Sequence, residues 1–291
     1  MKVCGFTIVR NAVRLDYPIT EAIRSILPLC DEVVVAVGRS DDATLEVIRS
    51  IDPTKIRIIE TVWDDTQREG GRVLALETDK AFAAISADAD WCFYIQADEV
   101  LHEKYYPAVR DAMQKHLNDP EVEGLLFHYL HFYGSYDYIG SSWSWYRREI
   151  RIIRNNKRIF SYRDAQGFRK HPNEKLQVRL IDAVMYHYGW VREPKAMRLK
   201  QQAFSQLYHD DQWIRDNVPN GEDFDYSQVD SLERFTGTHP KVMEDRIRRL
   251  NWKFDRDLSK NTLFFRERLK RLASQLLGYR VGEYKNYKLL K

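Results

Sequence analysis

Apolar residues arrive in two rhythms along the first hundred positions. Dense apolar runs at residues 3–10, 31–37, 55–61 and 91–95 predict buried strands. Between them, residues 11–29, 43–51 and 72–87 carry apolar side chains at helical spacing. Ile19, Ala22, Ile23, Ile26 and Leu27 mark the first helix; Val73, Leu76, Phe82 and Ile85 mark the third. Asp41 or Asp42 suits the cap of the second helix, and Pro53 ends it. Strand alternating with helix predicts an α/β fold with a mostly parallel, doubly wound sheet flanked by helices. Past residue 100 the rhythm loosens. A helix is expected over 104–117 and strands over 124–132, 149–154, 177–181 and 183–188. From Lys195 the chain reads as helical, polar and basic, with a loop at 217–221. Two parts follow: an α/β domain over residues 1–192 and a basic helical C-terminal extension over 193–291.

Charge sharpens that division. The net charge is +3, but residues 241–291 hold 15 Lys/Arg against 6 Asp/Glu, so the tail is +9 and the rest −6. The stretch from Leu263 to Leu277 reads as a basic amphipathic helix, suited to a peripheral contact with an anionic membrane or to packing on the body. No nucleic-acid motif accompanies this charge, so no nucleic-acid partner is expected. No run of about 18 apolar residues predicts a membrane span. The first residues enter a strand directly and lack a secretory signal. Cys4, Cys30 and Cys92 sit in or beside apolar runs without metal-type spacing and read as free thiols of a reducing compartment. A cytoplasmic protein, at most peripheral at the inner face of the membrane, is the expectation.

The candidate chemistry sits where the fourth strand ends. Gln96-Ala97-Asp98-Glu99 follows the apolar run Trp91-Cys92-Phe93-Tyr94-Ile95, so a buried strand delivers carboxylates to a sheet edge where α/β folds bind ligands. The order of residues 6–11 (Phe-Thr-Ile-Val-Arg-Asn), 31–44 and 91–99 resembles family 2 glycosyltransferases, such as bacterial polysaccharide and lipopolysaccharide sugar transferases. The resemblance spans roughly residues 3–190. It implies the GT-A fold, a nucleotide-binding α/β sheet, and a donor that is a nucleotide-diphosphate sugar.

Ser40, Asp42 and Thr44 match the family's turn after the second strand, whereas Val37 stands where it carries an acidic residue; Asp41 or Asp42 is the substitute. Gln96 replaces the first Asp of the Asp-x-Asp motif, and Asp98 matches its metal-binding position. In residues 183–190 (Ala-Val-Met-Tyr-His-Tyr-Gly-Trp), His187 matches a histidine that completes the metal site in related transferases. The implied cofactor is Mn2+ or Mg2+ on Asp98 and His187. Arg10, Asn11, Gly38, Asp41, Asp42, Arg72 and Gln96 are the implied donor contacts, and Arg192 is a further candidate for balancing phosphate charge.

An inverting transferase also needs a general base for the acceptor hydroxyl. Glu174, in Lys170-His-Pro-Asn-Glu-Lys175, is the first choice and Asp164 the second. Between Phe127 and Tyr146 lie nine aromatic residues interleaved with glycine and serine. They suggest a lid or a surface for a glycan or lipid-linked acceptor, with core packing as the alternative. The expected function is metal-assisted, inverting glycosyl transfer. A catalytically silent nucleotide- or carbohydrate-binding protein and a sugar nucleotidylyltransferase are the competing readings.

Overall fold

The computed structural model describes residues 1–218, 221–261 and 284–291. The stretch from Leu263 to Leu277 lies outside them. The first half alternates as its hydrophobic rhythm demands: β1 (Val3–Val9), α1 (Ile19–Ile26), β2 (Glu32–Gly38), α2 (Thr44–Arg49), β3 (Ile56–Thr61), α3 (Arg72–Ala83) and β4 (Trp91–Tyr94). All seven residues of β1 and all four of β4 are buried, so both strands are covered on two faces. The first helix is shorter than its apolar spacing suggests. Residues 11–17 form turns in which Asn11 and Asp16 take positive φ (53° and 51°), and α1 begins only after Pro18.

Next come β5 (Glu99–Leu101), α4 (Tyr106–Lys115), β6 (Gly124–Tyr133), β7 (Tyr138–Gly140), β8 (Arg148–Arg154), β9 (Ile159–Tyr162), β10 (Gly167–Lys170) and β11 (Glu174–Trp190). The two strands expected over 177–188 are one 17-residue strand, β11. Beyond it lie α5 (Pro194–Ser205), α6 (Asp211–Asn217), β12 (Leu232–Arg234), α7 (Glu244–Arg248) and β13 (Tyr287–Leu289). Among the described residues the C-terminal part therefore carries helices and also two short strands. β12 pairs with β7, and β13 returns to lie parallel to β11. Among the described residues no helix is long and apolar enough to cross a membrane.

The main sheet runs β3-β2-β1-β4-β8-β6-β11-β10-β9. Its first four strands are parallel, β8 runs against β4 and β6, and β11 lies parallel to β6. From β1 the chain builds outward through β2 to β3, then crosses back to place β4 on the other side of β1. That reversal opens a crevice beyond the carboxyl ends of β1 and β4, where α/β sheets hold ligands. One apolar cluster packs α1 and α4 on one face of the sheet, and a second packs α3 on the other. This is the helix-flanked α/β sheet that the hydrophobic pattern and the GT-A resemblance lead one to expect.

Of the nine aromatics between Phe127 and Tyr146, Phe127, Tyr129, Phe132, Tyr133, Tyr136 and Tyr138 are buried. They pack as core, with Phe132 stacked on Tyr188 (centroids 4.6 Å apart) and Tyr138 edge-on to Phe254. The expected aromatic lid is thus mostly interior packing.

Candidate active site

A cleft of about 610 Å³ opens at the β1–β4 reversal. Val9, Arg10 and Asn11 line it from the end of β1, and Gln96, Ala97 and Asp98 from the elbow after β4. Asp164–Gln166 come from the β9–β10 turn, His187, Gly189 and Trp190 from the end of β11, and Lys200 from α5.

The elbow is held from beneath. Gln96 N–H donates to Glu99 Oε2 (3.1 Å), and Glu99 N–H returns a bond to the Gln96 carbonyl (3.1 Å). The Glu99 carboxylate is fully buried and faces away from the cleft. Arg151 grips it twice, at 2.8 and 2.7 Å, and the Tyr129 hydroxyl donates a third bond at 2.8 Å. Arg151 also donates to the Gln166 carbonyl (2.8 Å), and its guanidinium lies 5.3 Å from the rings of both Tyr94 and Tyr129. A buried ion pair with every lone pair answered sets the elbow's shape rather than offering a ligand.

Asp98 points the other way. Lys200 Nζ donates to its Oδ2 at 3.0 Å, Arg192 Nη2 lies 3.9 Å from the same oxygen, and His187 Nε2 lies 3.7 Å from Oδ1. Burial alone would raise the Asp98 carboxyl. The charge of Lys200, then the adjoining His187 ring and the charge of Arg192, overrule it and hold the group well below the usual carboxylate range. Lys200 is pulled down to about 8 by burial and by Arg192, with Asp98 opposing, so it remains mostly cationic at neutral pH.

His187 is oriented by a relay. His131 Nε2 lies 2.7 Å from the Tyr146 carbonyl, which only accepts, so that nitrogen carries a proton. Burial, then His187, pushes His131 down to about 3, so it is neutral and its Nδ1 is an acceptor. The 3.0 Å contact between the two Nδ1 atoms therefore takes its proton from His187. Burial also lowers His187, which leaves a lone pair on Nε2 opposite Asp98 Oδ1. Two facing acceptors with no proton between them form a place for a shared cation, and imidazole plus carboxylate suits Mn2+. Among the described residues no group of three or more His, Cys, Asp or Glu side chains converges as a metal site. Asp98 and His187 thus offer a divalent ion two side-chain ligands.

The other expected contacts divide. Arg10, Asn11 and Gln96 line the cleft. Arg10 lies 4.6 Å from the Trp63 ring and pairs with Asp65 at 2.7 Å, and Gln96 donates to the Ala165 carbonyl at 3.2 Å. Gly38, Asp41, Asp42 and Arg72 are not on its wall. Asp42 accepts from the backbone N–H groups of Arg14 (2.7 Å) and Thr44 (3.0 Å), bracing the β1 and β2 loops together. Asp41 is exposed beside Arg14, Arg72 is exposed at the start of α3, and Trp63 packs across Gly38.

The two candidate bases part completely. Asp164 lines the cleft, accepts from the Tyr208 hydroxyl at 2.8 Å, and sits between two residues of positive φ, Arg163 (57°) and Ala165 (63°). Glu174 is not on the wall of the cleft. It begins β11, thirteen residues before His187, and pairs with Lys170 at the end of β10 that is remote from the cleft-lining Asp164–Gln166 turn. Its carboxylate is half exposed and meets Lys170 at 3.7 Å.

Lys200, His131, Trp63 and Tyr208 were not singled out from the sequence. The His131–His187 relay spans two strands in parallel register, and only His131's place in an apolar strand hints at it.

No protein-family model matches the chain, and no curated protein matches it in sequence. Among solved structures the chain is similar to S. aureus TarS, with 13% identity and a TM-score of 0.42 over 76% of this chain and 41% of that one. It thus spans about two-fifths of the length of TarS. It is similar to a 4-diphosphocytidyl-2C-methyl-D-erythritol synthase from Anaerococcus prevotii, with 10% identity and a TM-score of 0.34 over 53% of this chain and 71% of that one. It is also similar to glucosyl-3-phosphoglycerate synthase from Mycobacterium tuberculosis in complex with Mn2+, UDP and glucosyl-3-phosphoglycerate. That likeness has 19% identity and a TM-score of 0.30, over 46% of this chain and 45% of the other.

Proposed function

We propose that this cleft binds a nucleotide-diphosphate sugar and transfers the sugar, with inversion, to a hydroxyl of a glycan or lipid-linked acceptor. One observation carries the reading. Asp98, His187, Lys200 and Arg192 converge at the switch point of the sheet, and a second carboxylate, Asp164, lines the same cleft.

The chemistry follows from that charge pattern. Breaking the bond between the sugar's anomeric carbon and the diphosphate leaves an electron pair, and so negative charge, on the departing phosphate oxygen. A divalent cation held by Asp98 and His187 would supply Lewis-acid neutralisation there. Lys200 and Arg192 add fixed positive charge beside it. Asp164 is suited to take the proton of the acceptor hydroxyl as its oxygen bonds to the anomeric carbon. Tyr17, Trp63, Tyr94, Trp190, Phe204 and Tyr208 give the cleft apolar walls for a base and sugar rings.

The test is calorimetric titration with UDP, GDP, CDP, ADP and dTDP, each with Mn2+. One of them is expected to bind, and Asp98→Asn to lose the Mn2+-dependent part. The matching nucleotide sugar should then be turned over when acceptors are supplied. Binding without any transfer or hydrolysis would favour a silent binding protein, and no binding at all would end the donor-site reading.

A further inference from the structure

Helix α5 follows β11 after a tight turn in which Val191 N–H bonds the Tyr188 carbonyl at 3.0 Å. Pro194 opens it, and it runs back over the cleft. Met197, Lys200, Gln201 and Phe204 follow the i, i+3, i+4, i+7 rule and line the cleft together. Lys200 is the cation on that face. Its ammonium makes two hydrogen bonds, to Asp98 Oδ2 at 3.0 Å and to the Gly189 carbonyl at 2.8 Å, with the Tyr17 ring 5.1 Å away. An ammonium has three N–H donors.

Arg192 stands behind it, wholly buried. It donates to the Leu15 carbonyl at 3.0 Å, and its Nη2 has no hydrogen-bond partner. One carboxylate, Asp98, thus faces two basic side chains. Glu99, the next acid in the chain, is already matched by Arg151. A surplus positive charge therefore stands at the elbow, on the wall of a cavity, where water screens it poorly. Surplus charge in such a place favours an anion. Arg10, the other cationic wall residue, is already paired with Asp65.

We propose that Lys200 is a built-in second cation for the donor's diphosphate, giving it a hold on the cleft that survives removal of the divalent ion. The inference rests on the donor-site reading above. Lys200 keeps its proton throughout. Its third N–H bonds a phosphate oxygen, and it balances the charge that arrives there when the sugar–phosphate bond breaks.

The experiment titrates UDP, GDP, CDP, ADP and dTDP into the full chain, in Mn2+ and in excess EDTA, for wild type, Lys200→Met and Lys200→Arg. For the nucleotide that binds with Mn2+, wild type should retain measurable, weaker binding in EDTA. Lys200→Met should weaken that EDTA-resistant binding at least tenfold, while Lys200→Arg stays within a few-fold. Equal affinity of wild type and Lys200→Met in EDTA would overturn the inference and leave the donor site standing. So would a wild type that binds with Mn2+ and not at all in EDTA, an outcome that needs no variant to fold. If no nucleotide binds wild type even with Mn2+, the donor reading falls and the inference with it.

Discussion

The floor beneath the elbow and the cleft above it are built from neighbouring residues and opposite electrostatics. Below, Glu99 meets Arg151 one to one, both fully buried, with Tyr129 and backbone groups answering the remaining polar atoms. Above, Asp98 alone faces Lys200, Arg192 and the bare nitrogen of His187, at the wall of the cleft. The matched pair has nothing left to offer a ligand. The mismatched cluster does. Balance marks the part that shapes the site, and imbalance the part that binds.

Breaking the floor should have the largest effect on the fold. Arg151→Met strands a buried carboxylate, and denaturant unfolding should register a loss of about 3–5 kcal/mol. In the cleft, Asp164→Asn should leave donor affinity within a few-fold and lower turnover by about 10²–10⁴, the usual weight of a general base; steady-state kinetics on the donor found by titration will decide it.

A smaller effect comes from Glu149, also in the floor, which accepts from Gln166 Nε2 at 2.8 Å. Burial pushes its carboxyl up to about 8 from an ordinary 4.5. The folded chain therefore keeps a proton that the unfolded chain releases, so stability falls as pH rises from about 4.5 to 8. Glu149→Gln removes that dependence. It should match wild type near pH 4.5 and exceed it by roughly 1–3 kcal/mol at pH 8, measured by thermal or chemical melts. Smallest of all, Glu174→Gln should leave binding and turnover unchanged; a loss of activity there would contradict the separation of the two ends of β11.

The parallel half of the sheet was legible because β1, β2 and β4 are apolar on both faces, as the run at residues 33–37 displays. Asp98 and His187 were legible as points in an ordered series. That Glu174 lies off the cleft wall was not legible, because the strand signal breaks at Asp182 and hid the single 17-residue strand between Glu174 and His187. The aromatic run misled for a related reason. Its glycines and serines suggested a surface loop, yet β6 and β7 bury most of its rings between the sheet and the C-terminal segment. Lys200 was invisible in principle: it is one of 46 basic residues, and only the docking of α5 distinguishes it.

Gly189 draws the mismatched cluster together, since its carbonyl accepts from both Lys200 and Arg192. A methyl group on its α-carbon would stand 2.4 Å from His187 Nε2 and 3.0 Å from Asp98 Oδ2. In a saturation library selected for donor binding, position 189 should therefore tolerate no replacement at all. The half-exposed Trp190 beside it should be free to drift, giving descendants of this chain a way to change their preferred sugar without dismantling the anchor.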